Sequence, residues 1–304
     1  MRVLMCPPAY YKIPAKENVH MDSRVQPNPH LAWLQWLTVR NLLEKFGVRV
    51  FEMEPQPHLY SMVFAANGGW GRYNERRRRS EVVLANFLNP TRQGEKEYCR
   101  RWLRRLGSVV YELPEHIVFE GQGDVITTSQ GYVMAYGIRS SPEAPEYVQR
   151  LLELKKPTIQ VCITDERFYH LDTCMCSLRF KNALVYYPGA FDEPSLARIR
   201  QLNLIRYEIS EALAIRFVCN SVFVGNDILL NVPDETTEQS FEMSADGKAL
   251  SAEDRRLEEL VGRNPEYGAL LDFLRRLGYE SIPVYTSELF KSGAGVRCLI
   301  QFLD

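Results

Sequence analysis

LAWLQWLTVRNLLEKFGVRVFEME, residues 31–54, sets a helix directly before a strand. Over 31–46 the apolar side chains recur at helical spacing, and Gly47 follows as a suitable C-cap. VRVFEME at 48–54 alternates as a half-buried strand does. Upstream, RVLMC at 2–6 reads as a first strand, so the chain opens β, α, β. Working outward, further strands are expected at SMVFAANG (61–68), SVVYEL (108–113), HIVFEGQGDVITT (116–128), TIQVCIT (158–164), ALVYYP (183–188), SVFVGNDILL (221–230) and CLIQFL (298–303). Helices are expected over 92–106, 143–155, near 193–202 and over 265–277. This alternation favours an α/β domain. Periodicity alone leaves a doubly wound sheet, a barrel and a propeller-like ring open.

The chain has 304 residues, within reach of one large α/β domain, and its 45% hydrophobic content suffices for a sizeable core. Its 37 basic and 38 acidic residues leave a net charge of -1, so no global field points to nucleic acid or an anionic membrane. Pro7 and Pro8 break the apolar start before a signal-peptide core forms, and no run approaches the roughly 18 apolar residues of a membrane helix. Seven scattered cysteines, an odd number, read as reduced thiols. A cytoplasmic protein is therefore expected. The polar, acidic stretch 233–256 contains Phe241, Met243 and Leu250 and reads as a loop with a partial helix, a candidate lid.

Four segments can carry chemistry. In KSGAGVRCL (291–299) a glycine-rich turn runs into Cys298, with Lys291 and Arg297 near enough in sequence to favour a thiolate; a buried cysteine opening an apolar strand is the alternative. In FYHLDTCMC (168–176), His170 and Asp172 lie two apart and would share one face of a strand, as a general acid/base beside a carboxylate for a cationic substrate. Cys174 and Cys176 would continue that face, but ligands alternating along one strand rarely converge on a metal, and no second pair supplies zinc-site spacing. In FEGQGD (119–124), Glu120 sits among apolar residues, where a carboxylate is costly unless partnered; a β-bulge with a solvated glutamate is the alternative. Asn67 in VFAANGG (63–69) and Asn28 in QPNPHL (26–31) look like turn residues when taken alone. RRRR at 76–79, flanked by Glu75 and Glu81, reads as a locally paired, solvated face.

Taken in order, MCPPAYY (5–11), NPH (28–30), VFAANGG, NPTRQGE (89–95), FEGQGD, HLDT (170–173) and KSGAGVRCL resemble the dimethylargininase, arginine deiminase and amidinotransferase superfamily of guanidine-modifying enzymes. The likeness runs from about residue 5 to the end, and the arginine dihydrolase-like subgroup is the most similar. The resemblance implies a five-bladed α/β propeller of pseudo-fivefold ββαβ modules, one catalytic domain over 1–304. It implies Cys298 as nucleophile, His170 as general acid/base and Glu120 as the carboxylate that orients it. Asp172 would grip the guanidinium, Asn67 and Asn28 would line the pocket, and Arg92 and Arg139 are candidates to clamp a substrate carboxylate. Ser61 stands where the family usually carries an aspartate, which leaves an altered guanidine, an amidine or a ureido compound open as substrate. The implied activity is hydrolysis of an amidine C–N bond through a covalent thiouronium, with arginine dihydrolase as one form. Amidino transfer to an amine, or guanidine binding without catalysis, are the alternatives. No metal or organic cofactor is called for. The expected partners are a small guanidino compound and, with surface patches unreadable from sequence, room for a second copy of the chain.

Overall fold

The structure, a computed structural model, describes residues 1–234, 257 and 259–303. Among the described residues, fifteen strands form five three-stranded sheets with one repeated plan. In four of them a strand turns back antiparallel into the next, and a helix returns the chain to a third strand parallel to the second. These are β3 (Gly69–Asn74), β4 (Arg79–Leu84) and β5 (Val109–Tyr111); β6 (Val125–Thr127), β7 (Tyr132–Tyr136) and β8 (Thr158–Cys162); β9 (Met175–Leu178), β10 (Ala183–Tyr186) and β11 (Ile205–Glu208); and β12 (Val222–Val224), β13 (Asp227–Val232) and β14 (Glu280–Tyr285). The fifth sheet joins the two ends of the chain. β15 (Gln301–Phe302) pairs antiparallel with β1 (Arg2–Met5), which pairs parallel with β2 (Arg49–Glu52). The crossover helices are α1 (Pro29–Lys45), α2 (Glu95–Arg105), α3 (Ala144–Leu151), α4 (Glu193–Gln201) and α5 (Glu266–Arg276).

The five-module propeller-like arrangement thus holds, and its physical cause is readable. A middle strand in parallel pairing is covered on both faces, so RVLM, VVL, VMA, ALVY and ILL are near-continuous apolar runs. The helices bury one stripe each; α1 buries Leu31, Ala32, Trp36, Val39 and Leu43. Among the described residues no helix is long and apolar enough to cross a membrane. Of the acidic stretch 233–256, residues 235–256 lie outside the described residues.

Five stretches expected as strands differ. SVFVGNDILL is not one strand but the antiparallel pair β12 and β13, turning at residues 225–226. Residues 61–68 form turns and a 3-10 segment, Ala65–Gly68. HIVFEGQGDVITT is a strand only over Val125–Thr127, with a 3-10 turn at Gly121–Gly123. His170 caps a single helical turn, Leu171–Cys174, so His170 and Asp172 do not lie on a strand face. Cys298 lies in the 3-10 turn Arg297–Leu299, not on β15. Each of the other four forms a tight turn that comes just before the first strand of a sheet and is packed on all sides at the module junction. Burial there makes a turn as apolar as a strand, and short apolar runs carry no period that separates the two. RRRR lies at the β3–β4 hairpin, where Arg77 and Arg79 pair with the buried Glu81.

Candidate active site

The module repeat brings equivalent turns together. Ala65–Gly68 packs against both Gly121–Gly123 and Arg297–Leu299, and Leu171–Cys174 packs against Gly121–Gly123. Asn67, Glu120, His170, Asp172 and Cys298 therefore meet, all buried to at least 98%. The close approach explains one glycine of FEGQGD: a Cβ on Gly123 would lie 2.6 Å from Asn67 Nδ2 and 2.9 Å from the His170 ring.

A His170 ring nitrogen, Nε2, lies 2.8 Å from Glu120 Oε2. The other carboxylate oxygen accepts the Leu88 N–H at 3.1 Å, and Arg139 Nη1 lies 3.4 Å from both oxygens. Burial pushes the Glu120 carboxyl upward, but Arg139 and the His170 hydrogen bond outweigh it and hold the group well below the usual carboxylate range. An ionised Glu120 fixes the ring's orientation and stabilises positive charge arriving on it. Tyr169 packs its ring 4.7 Å from that of His170 and carries the Arg139 guanidinium at 4.9 Å on its face.

Cys298 Sγ lies 4.0 Å from Asp172 Oδ2 and accepts the Asn220 Nδ2 hydrogen at 3.2 Å. Burial, with the Asp172 charge adding to it, pushes the thiol up to about 12, against the pull of Gly295, Asn220 and Arg297. The Asp172 carboxyl is itself pushed up to about 6 by burial, although His170 and Arg297 act against that. Its Oδ1 is buried and makes no hydrogen bond within the protein. A carboxylate so placed gains most from a cationic partner.

The cavity beside Cys298 and His170 is also lined by Glu17, Asn18, Met21, Ser61, Phe64, Asn67, Arg92, Arg139, Tyr169 and Ser292. Asp172 borders a second cavity, with Gln122, Cys176, Cys219, Arg297 and Phe302 among its neighbours. Cys174 points elsewhere, its thiol donating to the Leu171 carbonyl at 3.5 Å.

Two expected binding residues need comment. Asn28 is not in the cavity: it is exposed at the N-cap of α1, where its Oδ1 accepts the His30 and Leu31 N–H groups. Asn followed by Pro at the first helical position is a helix-start signature, and that role takes the side chain. The second asparagine of the lining is Asn18, which donates to the Ser292 carbonyl at 3.0 Å. Arg92 does line the cavity, but Glu95 holds it bidentately at 3.0 and 2.8 Å, and Asn67 and the Ser61 and Phe64 carbonyls take its other hydrogens. Arg92→Ala is accordingly expected to strand the buried Glu95 and cost about 3–5 kcal/mol of stability. A urea-unfolding midpoint unchanged in that variant would contradict the pairing.

A ring of five ββαβ modules with a cysteine, a histidine–glutamate pair and a carboxylate at its junction is the arrangement expected from the resemblance to guanidine-modifying enzymes, and the homologues of the chain include arginine dihydrolases and a dimethylarginine dimethylaminohydrolase. The chain is 35% identical, over 79% of its length, to the bifunctional arginine dihydrolase/ornithine cyclodeaminase AgrE of Nostoc sp., of which it covers 33%. It is 28% identical, over 98% of its length, to the N(G),N(G)-dimethylarginine dimethylaminohydrolase of Mycobacterium tuberculosis, of which it covers 84%. The N-terminal domain of ArgZ, covalently bound to a reaction intermediate, superposes with a TM-score of 0.79 at 28% identity, covering 100% of this chain and 97% of that one. The chain thus spans about a third of the length of the bifunctional relatives it matches. Compared with models of known protein families, it matches none.

Proposed function

We propose that residues 1–304 form one catalytic domain, a cysteine hydrolase of the guanidino group, with arginine as substrate and ornithine, ammonia and CO2 as products. The observation that carries this is the convergence of Cys298 Sγ, 4.0 Å from the Asp172 carboxylate, with the His170–Glu120 pair lining the same buried junction. The similarity to AgrE supports arginine, and the covalent adduct seen in ArgZ supports a covalent route.

In the empty site Cys298 is a neutral thiol. A guanidinium held by Asp172 brings positive charge beside Sγ, offsets the Asp172 charge, and makes the thiolate accessible. The thiolate attacks the guanidinium carbon. His170 gives a proton to the departing nitrogen, which leaves as ammonia, and a thiouronium remains on Cys298. His170 then takes a proton from water, water adds to the same carbon, and the C–S bond breaks to free the ureido product. In a dihydrolase the thiolate then attacks the ureido carbon, a second ammonia leaves and a thiocarbamate remains on Cys298. Water adds, the C–S bond breaks, and the freed carbamate loses CO2 to give ornithine. Two asparagines, Asn67 and Asn18, line the cavity beside one carboxylate, Glu17, and their neutral amides suit a neutral ureido group. Arg139, paired with Glu120 at a loose 3.4 Å, is the better placed arginine for the substrate carboxylate, while Arg92 braces Asn67. A cytoplasmic location and assembly with a second copy belong to the same proposal.

Protonated Asp172 cannot pair with a cation. Its folded value lies above its ordinary one, so ionising it costs the empty protein stability as pH rises through about 6, a cost that bound guanidinium offsets. We expect kcat/KM to fall on the acid side with a midpoint near 6 and kcat to hold to lower pH. Coincident acid limbs in the two profiles would remove Asp172 from this role.

Product analysis tests the activity. L-Arginine is expected to yield two ammonia per ornithine. One ammonia with citrulline accumulating would make the protein a deiminase, dimethylamine from methylated arginine a dimethylargininase, and product only with an added amine an amidinotransferase. No product from any guanidine would refute a hydrolase.

A further inference from the structure

Four of the five module junctions supply a residue already assigned a part: Asn67 before β3, Glu120 before β6, His170 and Asp172 before β9, and Cys298 before β15. The fifth junction, before β12, supplies Asn220, two residues ahead of its strand as Asn67 is of β3. It is fully buried and touches the nucleophile at two points. Its Nδ2 donates to Cys298 Sγ at 3.2 Å, and its Oδ1 accepts the Cys298 N–H at 3.2 Å. The same Nδ2 lies 3.3 Å from the Asp172 carbonyl, and the Asn220 carbonyl accepts the Arg297 N–H at 3.1 Å.

We propose that Asn220 is a further catalytic residue, the side-chain donor that holds Cys298 Sγ in place and stabilises it as a thiolate; its part in turnover rests on the activity proposed above. Among the described residues it is the one side-chain donor hydrogen-bonded to Sγ. The need for it follows from Asp172, which faces Sγ from the opposing turn and repels a thiolate at 4.0 Å. Arg297 on the same turn, Tyr169, and His170 lining the cavity are the other titratable groups near the sulfur. The backbone around Asn220 is built for the contact. Phe217 adopts φ of 52°, and its carbonyl accepts the Asn220 N–H at 2.9 Å. A Cβ on Gly295 would meet Asn231 Oδ1 at 2.4 Å and Asn220 Oδ1 at 2.9 Å, so the glycine-rich turn is fitted to both amides, of which Asn220 alone reaches the sulfur.

Asn231 gives the control. It braces the same two turns, accepting the Val296 N–H at 3.2 Å and donating to the Phe217 carbonyl at 3.2 Å, and makes no hydrogen bond to Sγ. The experiment is alkylation of Cys298 by iodoacetamide between about pH 6 and pH 10 without substrate, followed by peptide mass spectrometry, in wild type, Asn220→Asp, Asn220→Ser and Asn231→Ser. Asn220→Asp puts an acceptor in place of the donor and is expected to displace the pH profile upward by about one unit or more, a tenfold or greater loss of rate on its rising limb. Asn220→Ser, which keeps a shorter donor, displaces it less, and it decides alone where Asn220→Asp does not fold. Asn231→Ser lowers Tm and leaves the profile in place. Wild-type profiles in the folded Asn220 variants, or an equal displacement in Asn231→Ser, would overturn the assignment. A displaced profile in a chain that turns over no guanidine would leave Asn220 its role and remove the proposed activity instead.

Discussion

Cys298→Ser is expected to lower turnover by on the order of 10^4-fold or more while leaving the fold intact. The site is arranged around sulfur. A hydroxyl ionises several units above a thiol, and both burial and the Asp172 charge already oppose the anion here. A guanidinium beside the atom can offset that penalty for sulfur but not for a serine oxygen. In the proposed reading Asp172, Asn67 and Arg139 bind the substrate, so binding should persist and guanidine should still raise the Tm of the variant. Comparable kcat in Cys298→Ser would mean that the carbon is attacked by some other group.

The second large effect is expected at the His170–Glu120 pair. His170→Ala removes the one imidazole among the described residues of the cavity lining and should lower kcat by about 10^2 to 10^4-fold. Glu120→Gln should lower it by about 10^2-fold, because the ring loses the charge that orients it. The two changes act on one unit, so the double variant should be little worse than His170→Ala alone. Glu120 also carries a stability component with a defined pH course. Its folded value is below the unfolded one near ~4.3, so its contribution is complete above that pH and is lost as pH falls through the folded value. The stability gap between wild type and Glu120→Gln should be flat near neutrality and close in acid. Additive losses in kcat, or a gap that widens in acid, would break the pair.

Much of this architecture was legible in the chain, and the failures share a cause. Helices such as 31–46 were recovered to within two residues because one apolar stripe faces a sheet and the other side faces water. The middle strands β1 and β10 were recovered from their apolar runs, whereas β7, an equally apolar run between Gly131 and Gly137, was not expected. The junction turns defeated the same logic. Residues 61–68, 168–174 and 298–300 are buried on every side, so they look like strands while forming turns. β3 and β4 went unread because Gly71 and the arginine run interrupt them, although the run itself forms the hairpin. The chemical residues sit in glycine-rich motifs, which is why Glu120, Asn67 and Cys298 stood out. Asn220 lies in FVCNSVFV without a neighbouring glycine and gave no local signal; only the module repeat places it beside sulfur. Asn28 failed in the opposite way, since its Asn-Pro pair carried a helix-cap signal that was the correct one.

The most direct measurement is acid quenching of the protein during turnover of L-arginine, with intact and peptide mass spectrometry of Cys298. A covalent route predicts a thiouronium carrying the ornithine chain on Cys298, absent without arginine and absent in Cys298→Ser. Ammonia released from arginine at an undiminished rate by Cys298→Ser, with an unmodified Cys298 throughout wild-type turnover, would contradict it.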